Sequence, residues 1–545
     1  MIAPWRLSRT AVGLIAAIVW LSALWNLPTS PYRLHDVAAV SLEIAALLAL
    51  LALIAPLRSG MVGRVVRYVV AAATSLVAVL TLGDLAIRSS LGRPLNALLD
   101  LDLLPSLVRL LRGSLGDGPA ALVMVGLILA AIALFVLTLL AVRAAQRALA
   151  ESWLRSVVLV GALALIVVFG LQHAAPQLFA DYRPVSAQAS ATLRAQWQVG
   201  HATLQDLARI GQAIAADDFR DLPAYQLLHR LGGADVLLIY VESYGRSALE
   251  EPRYAHSLLP RLASFEQVLA DHGLVAASGY LTSPTVGGQS WLAHGTIQSG
   301  LWIANQRAYD ALVKSNRLTL TKAFAKAGYR TLAVKPAITM PWPEGERFGY
   351  DRIYASNDLG YAGLPYNWVT MPDQYTLSAL QRFERAVRAE PLFAEVSLIS
   401  SHAPWTPIAP VLDDWDSIGD GSVFSRWAQD GDPSEVVWRD VERVRHQYTL
   451  AVDYVLAVLA SYAGHFVDEH TLMIVVGDHQ PAPLITGEGA SRDVPIHVIA
   501  GNPALLEPFR AWGLTVGMRP TGEPIGRMDS VRDWFLGTFS ERPES

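Results

Sequence analysis

The sequence predicts a polytopic α-helical membrane domain of five spans followed by an extracytoplasmic α/β domain. Three observations predict it. Five apolar stretches crowd the first third of a 545-residue chain, and the loops between them alternate between arginine-rich and arginine-poor. After residue 234, short apolar runs alternate with helix-like segments. The composition agrees: 52% of residues are hydrophobic and 17% charged, with a mean hydropathy of +0.32, whereas roughly 25% are charged in an ordinary soluble domain.

The apolar stretches fall at about 11–27, 37–56, 65–86, 118–142 and 156–173. Each is close to the roughly 20 residues that cross the hydrocarbon core of a bilayer, and a cleavable signal peptide accounts only for the first. Arg6 and Arg9 precede span one, Arg58, Arg64 and Arg67 surround the second loop, and Arg143, Arg147 and Arg155 fill the fourth. Positive charge favours the cytoplasmic side. The N-terminus and Arg147 are therefore expected inside, and Gly232 with everything after residue 176 outside, in a multi-pass protein of a bacterial plasma (inner) membrane. Segment 95–111 reads as an amphipathic helix lying on the outer leaflet. Glu43 and Asp84, within or beside spans, are either functional or paired inside the bundle. Residues 177–234 read as a juxtamembrane helical linker, giving domain limits of 1–176, 177–234 and 235–545.

Charge and cysteine content exclude several classes. Residues 1–176 hold 13 arginines, no lysine and 7 acids, and the remainder holds 30 basic and 41 acidic residues. That balance argues against a nucleic-acid partner, which asks for clustered positive charge. The absence of cysteine excludes a disulfide scaffold, cysteine metal sites and a thiol nucleophile.

In the α/β region, DVLLIYV (235–241), RTLAV (330–334), LFAEVSLIS (392–400), TLMIVVG (471–477) and PIHVIA (495–500) read as buried parallel strands. Sites in such sheets form beyond the carboxyl ends of strands. Four of these runs lead into Glu242-Ser243, Lys335, Ser401-His402 and Asp478-His479, Lys335 being one of only four lysines. Glu242 with Asp478 and His479 is an oxygen-plus-imidazole set suited to Zn²⁺ or Mn²⁺. Between them SPTVGGQSWLAHGTIQSG (283–300) makes a tight turn at Gly287-Gly288 and places Ser290 in the first turn of a helix. A helix start favours an anion, and coordination to a metal activates a hydroxyl as a nucleophile. Alone, Ser290 also reads as an N-cap; beside the metal set it reads as the nucleophile. His294, one turn further on the same face, either borders the site or packs in the core. His497 is a supporting or structural histidine, and Trp291, Trp405 and Asp373 either shape the pocket or pack.

The strand-Glu-Ser pattern at 236–243, the small-residue turn into Ser290, SHAPW at 401–405 and VVGDHQP at 475–481 resemble the alkaline phosphatase/sulfatase superfamily. Five spans ahead of such a domain resemble its lipoteichoic acid synthase and phosphoglycerol transferase branch. The resemblance implies one divalent metal ion, Mn²⁺ or Zn²⁺ with Mg²⁺ as a third option, held by Glu242, Ser290, Asp478 and His479. Ser290 stands where that branch has a threonine nucleophile. His402 matches the family's phosphoryl-contacting histidine and Trp342 its pocket tryptophan. The arginine that the branch places two residues after this tryptophan is Glu344 here, with Lys335 or Arg347 as substrate-binding substitutes. No C/S-x-P-x-R signature occurs, which with the lack of cysteine argues against sulfate-ester chemistry; the lack of cysteine also argues against the disulfide-bearing phosphoethanolamine transferases. The implied function is transfer of a phospholipid headgroup, phosphoglycerol first, from a membrane phospholipid donor to an envelope glycan or glycolipid through a phospho-serine. A phosphodiesterase or sulfatase-like hydrolase and a non-catalytic membrane lipid sensor are the alternatives, and the intact metal set counts against the sensor. No motif speaks to the oligomeric state.

Overall fold

The computed structural model describes residues 8–27, 40–179, 184–387 and 390–541. They divide into two units, one of residues 1–89 and 93–205 and one of residues 90–92 and 206–545.

The first unit is helical. Its helices are α1 (Arg9–Trp25), α2 (Leu42–Leu53), α3 (Met61–Leu91), α4 (Leu104–Leu115), α5 (Asp117–Ala148), α6 (Ser152–Ala174) and most of α7 (Gln188–Ala215). Each of the five apolar stretches holds a helix, but α1 stops at Trp25, and in the second stretch Val40–Ser41 is a short strand paired with Val185–Ser186 before α2 begins; residues 37–39 lie outside the described residues. Helices α3, α5 and α6 have 31, 32 and 23 residues and are long and apolar enough to cross a membrane, whereas α1 and α2 are shorter apolar helices. Helix α1 packs on α5 through Ala11, Leu14, Ala17 and Leu21 against Val142, Ala145 and Ala148. Such small residues let two backbones approach closely in an apolar medium, and Trp20 Nε1 donates to Thr138 Oγ1 at 3.1 Å. Of the segment 95–111 expected as an amphipathic helix, residues 104–111 lie in α4, Asp100–Leu103 make a 3-10 turn and residues 95–99 are not helical. Asp84 pairs with Arg88 at 2.7 Å and accepts from the Leu95 N–H at 2.7 Å, and Glu43 accepts from the Ser190 N–H at 3.0 Å, so both ionisable groups are partnered within the unit.

The second unit is a nine-stranded sheet with helices on both faces. Its strands are β1 (Asp235–Val241), β2 (Val275–Thr282), β3 (Arg330–Lys335), β4 (Arg352–Ala355), β5 (Leu392–Leu398), β6 (Thr471–Gly477), β7 (Asp493–Ala500), β8 (Thr515–Val516) and β9 (Gly526–Arg527). The order is β8-β2-β7-β6-β1-β5-β3-β4, with β9 also paired to β2. Strand β1 shows why both faces are covered: Val236, Leu238 and Tyr240 enter one apolar cluster, and Leu237, Ile239 and Val241 the other. A strand apolar on both sides is stable only between two layers. One layer includes α8 (Pro252–Asp271), α10 (Asp373–Leu380) and α11 (Val441–Phe466); the other includes α9 (Ser290–Ser299) and α12 (Val531–Phe539).

Helix α11 is also long and apolar enough to cross a membrane. However, 61% of its most apolar stretch is buried, against 33%, 6% and 11% for α3, α5 and α6. Tyr448, Val452, Val455, Leu459 and Tyr462 form its buried stripe; it is a core helix of this unit.

All five strand-like runs are strands, with one correction. PIHVIA, expected parallel, lies in β7, which is antiparallel to both β2 and β6. The connection from β6 to β7 contains only the single-turn helix Pro483–Thr486 and not the crossover helix that a parallel return uses. Strand β2 carries little strand propensity in its VAASGYLT, and its form follows from its partners. Gly279 lets Leu514 pack closely on the strand, since a Cβ would stand 2.7 Å from Leu514 Cδ2 and push that side chain aside.

Candidate active site and metal centre

Register brings the strand ends together. Val241 of β1 is paired in parallel with Leu398 of β5 and with Gly477 of β6. The residues that follow, Glu242 and Asp478, therefore leave the sheet side by side at its carboxyl edge. Gly477 is needed at this crossing, because a Cβ would lie 1.8 Å from the Tyr244 carbonyl oxygen.

The turn before α9 carries three consecutive positive φ angles, 72° at Gly287, 142° at Gly288 and 64° at Gln289. Gln289 is the N-cap, without a side-chain cap, so Ser290 is the first helical residue. The Ser290 hydroxyl donates to Glu242 Oε2 at 3.0 Å and lies 3.2 Å from His479 Nε2. Ser243, also at positive φ (56°), donates its hydroxyl to Glu242 Oε1 at 2.7 Å and its N–H to Asp478 Oδ1 at 2.9 Å. Left-handed backbone at a non-glycine residue costs of order 1–3 kcal/mol and persists where surrounding contacts over-determine it. Here those contacts include the Tyr448 hydroxyl, which donates to the Ser243 carbonyl at 3.0 Å.

One ligand atom from each of Glu242, Asp478 and His479 falls within 4.8 Å of the other two. His479 Nδ1 faces the Gln480 carbonyl oxygen at 2.8 Å. A carbonyl only accepts, so Nδ1 carries a proton and Nε2 is the nitrogen that points into the cluster, the orientation of a metal-ligating imidazole once its Nε2 proton is displaced. Asp478 Oδ1 is taken by the N–H groups of Ser243 and His479, leaving Oδ2 for the cluster. Burial pushes the Glu242 carboxyl up, but His479, His402 and the Ser243 hydroxyl outweigh it and hold it well below the usual carboxylate range. Burial and the Glu242 charge push Asp478 up. Burial pulls His479 down, and the two carboxylates overcome it and push it up to about 9. Two buried carboxylates thus hold a proton on the imidazole for want of another cation. The residues present fit a divalent ion with oxygen and nitrogen ligands.

The remaining candidate residues occupy distinct places. His402 is exposed, with Nδ1 2.5 Å from the Ala403 carbonyl. Trp342 lines a cleft with Trp291, His294, Gly295, Gln298, Tyr309, Phe348, Tyr350 and Glu395. Lys335, at the end of β3, is buried and ion-paired with Glu395, while Arg347 is exposed. His497 is fully buried between Ser278 Oγ at 2.8 Å and Tyr244 OH at 3.1 Å, a structural position. Asp373 accepts from the N–H groups of Ile399 and Ser400 at 2.7 and 3.1 Å, fixing the chain just before Ser401-His402. Sequence reasoning named Ser243 only as part of the Glu242-Ser243 strand ending, and missed Glu395, whose signal was a single acid inside the apolar run LFAEVSL, and Tyr448, which carried none.

Residues 234–493 match the sulfatase family model. The chain is thus similar to the sulfatase family over this part of its length. The matched span includes Glu242, Ser290, His402, Asp478 and His479. No curated protein sequence matches the chain. Among solved structures, the chain is similar to the integral membrane lipooligosaccharide phosphoethanolamine transferase A of Neisseria meningitidis, at 13% identity over 96% of each chain with a TM-score of 0.48. It is similar to the lipoteichoic acid synthase LtaP of Listeria monocytogenes at 13% identity, over 54% of this chain and 70% of that one, with a TM-score of 0.35. It is also similar to the phosphoglycerol transferase GacH of Streptococcus pyogenes at 11% identity, over 62% and 90%, with a TM-score of 0.36.

Proposed function

We propose that the protein is a metal-dependent phosphotransferase of the bacterial plasma membrane that moves a phospholipid headgroup, phosphoglycerol first, to an envelope glycan or glycolipid. The observation that carries this reading is the Ser290 hydroxyl at a helix start, hydrogen-bonded to Glu242 and beside the Nε2 of His479. Ser290 Oγ attacks the phosphorus of the lipid phosphodiester while its proton passes to Glu242 Oε2. The bond from phosphorus to the diacylglycerol oxygen breaks, that oxygen takes a proton, and the headgroup phosphate stays on Ser290. An acceptor hydroxyl then attacks phosphorus, Ser290 Oγ leaves and recovers a proton, and the headgroup is transferred. The start of α9 presents backbone N–H groups and a positive dipole end to the phosphate. His402, exposed at the rim, exchanges the proton of the leaving or entering oxygen. A divalent ion held by Glu242, Asp478, His479 and Ser290, Mn²⁺, Zn²⁺ or Mg²⁺, supplies positive charge against the developing phosphoryl charge. The apolar helices keep the site at the lipid surface, with the N-terminus cytoplasmic and the sulfatase-like domain outside.

The test is product analysis with purified full-length protein and vesicles of headgroup-labelled phosphatidylglycerol. Diacylglycerol release, with label appearing on an added glycolipid, supports transfer. Release with label only in free glycerol phosphate makes the protein a hydrolase, and no release beside intact lipid binding makes it a sensor.

A further inference from the structure

One turn beyond Ser290, a second polar constellation lies between α9 and the sheet. His294 stacks on Tyr240 with ring centroids 3.8 Å apart. Its Nδ1 is 3.3 Å from Lys335 Nζ. The same ammonium donates to Glu395 and, at 3.1 Å, to Ser397 Oγ. The other Glu395 oxygen accepts from Gln298 Nε2 and, at 2.8 Å, from the Tyr350 hydroxyl.

This arrangement settles the imidazole's proton. An ammonium only donates, so Nδ1 facing Lys335 is the acceptor and Nε2 bears the hydrogen. Burial, with the Lys335 charge behind it, holds His294 well below the usual histidine range, so the ring is neutral. His294 Nε2 is buried and has no hydrogen-bond partner among the described residues, although His294 lines the cleft formed with Trp291, Tyr309, Trp342, Phe348 and Tyr350. Buried donors are normally paired, and an unpaired one beside an open cleft marks the place of a ligand acceptor.

We propose that the His294 Nε2–H is a headgroup-binding donor: it donates to an oxygen of the group carried on Ser290, seated between the cleft's aromatic walls. The inference rests on the phosphotransfer reading of Ser290. It adds a selection rule, because the site offers a hydrogen to a hydroxyl, ether or ester oxygen. Both Glu395 oxygens are occupied, and Lys335 places a positive charge beneath the ring. Lys335 and Glu395 act through His294 as positioning residues.

The experiment uses full-length protein with vesicles of phosphatidylglycerol or phosphatidylpropanol, reading diacylglycerol release. The wild type should favour phosphatidylglycerol over phosphatidylpropanol by about fivefold to tenfold, the size of one neutral hydrogen bond. His294→Ala should bring this ratio close to one by losing rate on phosphatidylglycerol alone, and His294→Gln should restore part of it through its amide N–H. A packing role lowers both rates together and leaves the ratio unchanged, which overturns the proposal. Independently of turnover, the ¹⁵N-histidine resonances that disappear in His294→Gln should be those of a neutral Nε2–H imidazole at pH 7. An Nδ1–H or doubly protonated ring overturns the proposal as well. Failure of the Ser290 reading looks different, as near-wild-type diacylglycerol release by Ser290→Ala.

Discussion

At the scale of the residue, Ser290 has Glu242 on one side and His479 on the other, and neither contact is an N-cap contact. If Ser290 is the covalent carrier, Ser290→Ala should fold and keep much of its metal while losing turnover by ~10⁴-fold or more, as groups acting in one catalytic unit do. Ser290→Thr should keep measurable activity, because the hydroxyl stays within reach of Glu242. A purely structural serine predicts the reverse, about 1 kcal/mol of stability lost with turnover kept. His479 leads to a second expectation. Its two carboxylate neighbours hold a proton on it up to about 9, and a metal must displace that proton. Metal affinity should rise about tenfold per pH unit between pH 7 and 8, with one proton released per ion bound, and more steeply below pH 7, where Asp478, pushed up to about 7, gives up a proton as well. Titration calorimetry in two buffers of different ionisation enthalpy checks the count; a pH-independent affinity removes His479 from the ligand set. Asp478→Ala/His479→Ala should purify without stoichiometric metal.

At the scale of the element, the loop after β5 and the strand β7 show how the site is held. Asp373, at the start of α10, occupies the N–H groups of Ile399 and Ser400. Asp373→Ala leaves both unpaired and should destabilise the domain by at least about 2 kcal/mol, read as a lower denaturation midpoint, with Asp373→Asn intermediate. His497 lies in the middle of β7, where burial pushes it down from 6.5 to about 3. Its unfolded form takes up a proton below pH 6.5 and its folded form does not. The stability it contributes is therefore complete above pH 6.5 and is lost as pH falls towards 3, at about 1.4 kcal/mol per pH unit. His497→Gln should lose stability less steeply than the wild type between pH 6.5 and 4, and parallel profiles refute this. The parallel centre of the sheet was legible in the sequence because buried parallel strands are continuous apolar runs, and polar residues stood where each run stopped. The antiparallel sense of β7 was not, because an apolar run carries no direction. Strand β2 was hidden too, since Ala, Ser and Gly report the tightness of neighbouring side chains and not the strand itself. Lys335 was read from its place at the end of β3, but its partner Glu395 lies mid-strand in β5, and only the sheet register joins them.

At the scale of the whole molecule, apolar length is a local property, so the helices of the first unit were legible, although α1 and α2 are shorter than the spans expected of them and the unit runs to residue 205 rather than 176. Hydropathy alone also admits α11; what distinguishes it is the packing of its tyrosine-bearing stripe, which no local pattern announces. The arginine distribution predicts a definite orientation. The chain has no cysteine, so single cysteines can be introduced at the exposed positions Arg147 and Tyr225 and probed in intact cells with an impermeant thiol reagent. Labelling at 225 and not at 147 is expected; the opposite pattern reverses the topology and removes outer-leaflet lipid from reach.

The pairing of Ser243 with Asp478 joins residues 235 positions apart, and this has a consequence for the making of the protein. At ~5–20 residues per second, the ribosome adds Asp478 on the order of ten to fifty seconds after Ser243. Throughout that interval the growing chain displays Glu242, joined later by Ser290, with neither Asp478 nor His479 beside them. The ligand cluster comes into being only when β6 has docked against β1, late in the history of each molecule. With the orientation proposed above, that moment falls after export, so the ions of the outer compartment, and not those of the cytosol, compete to fill it.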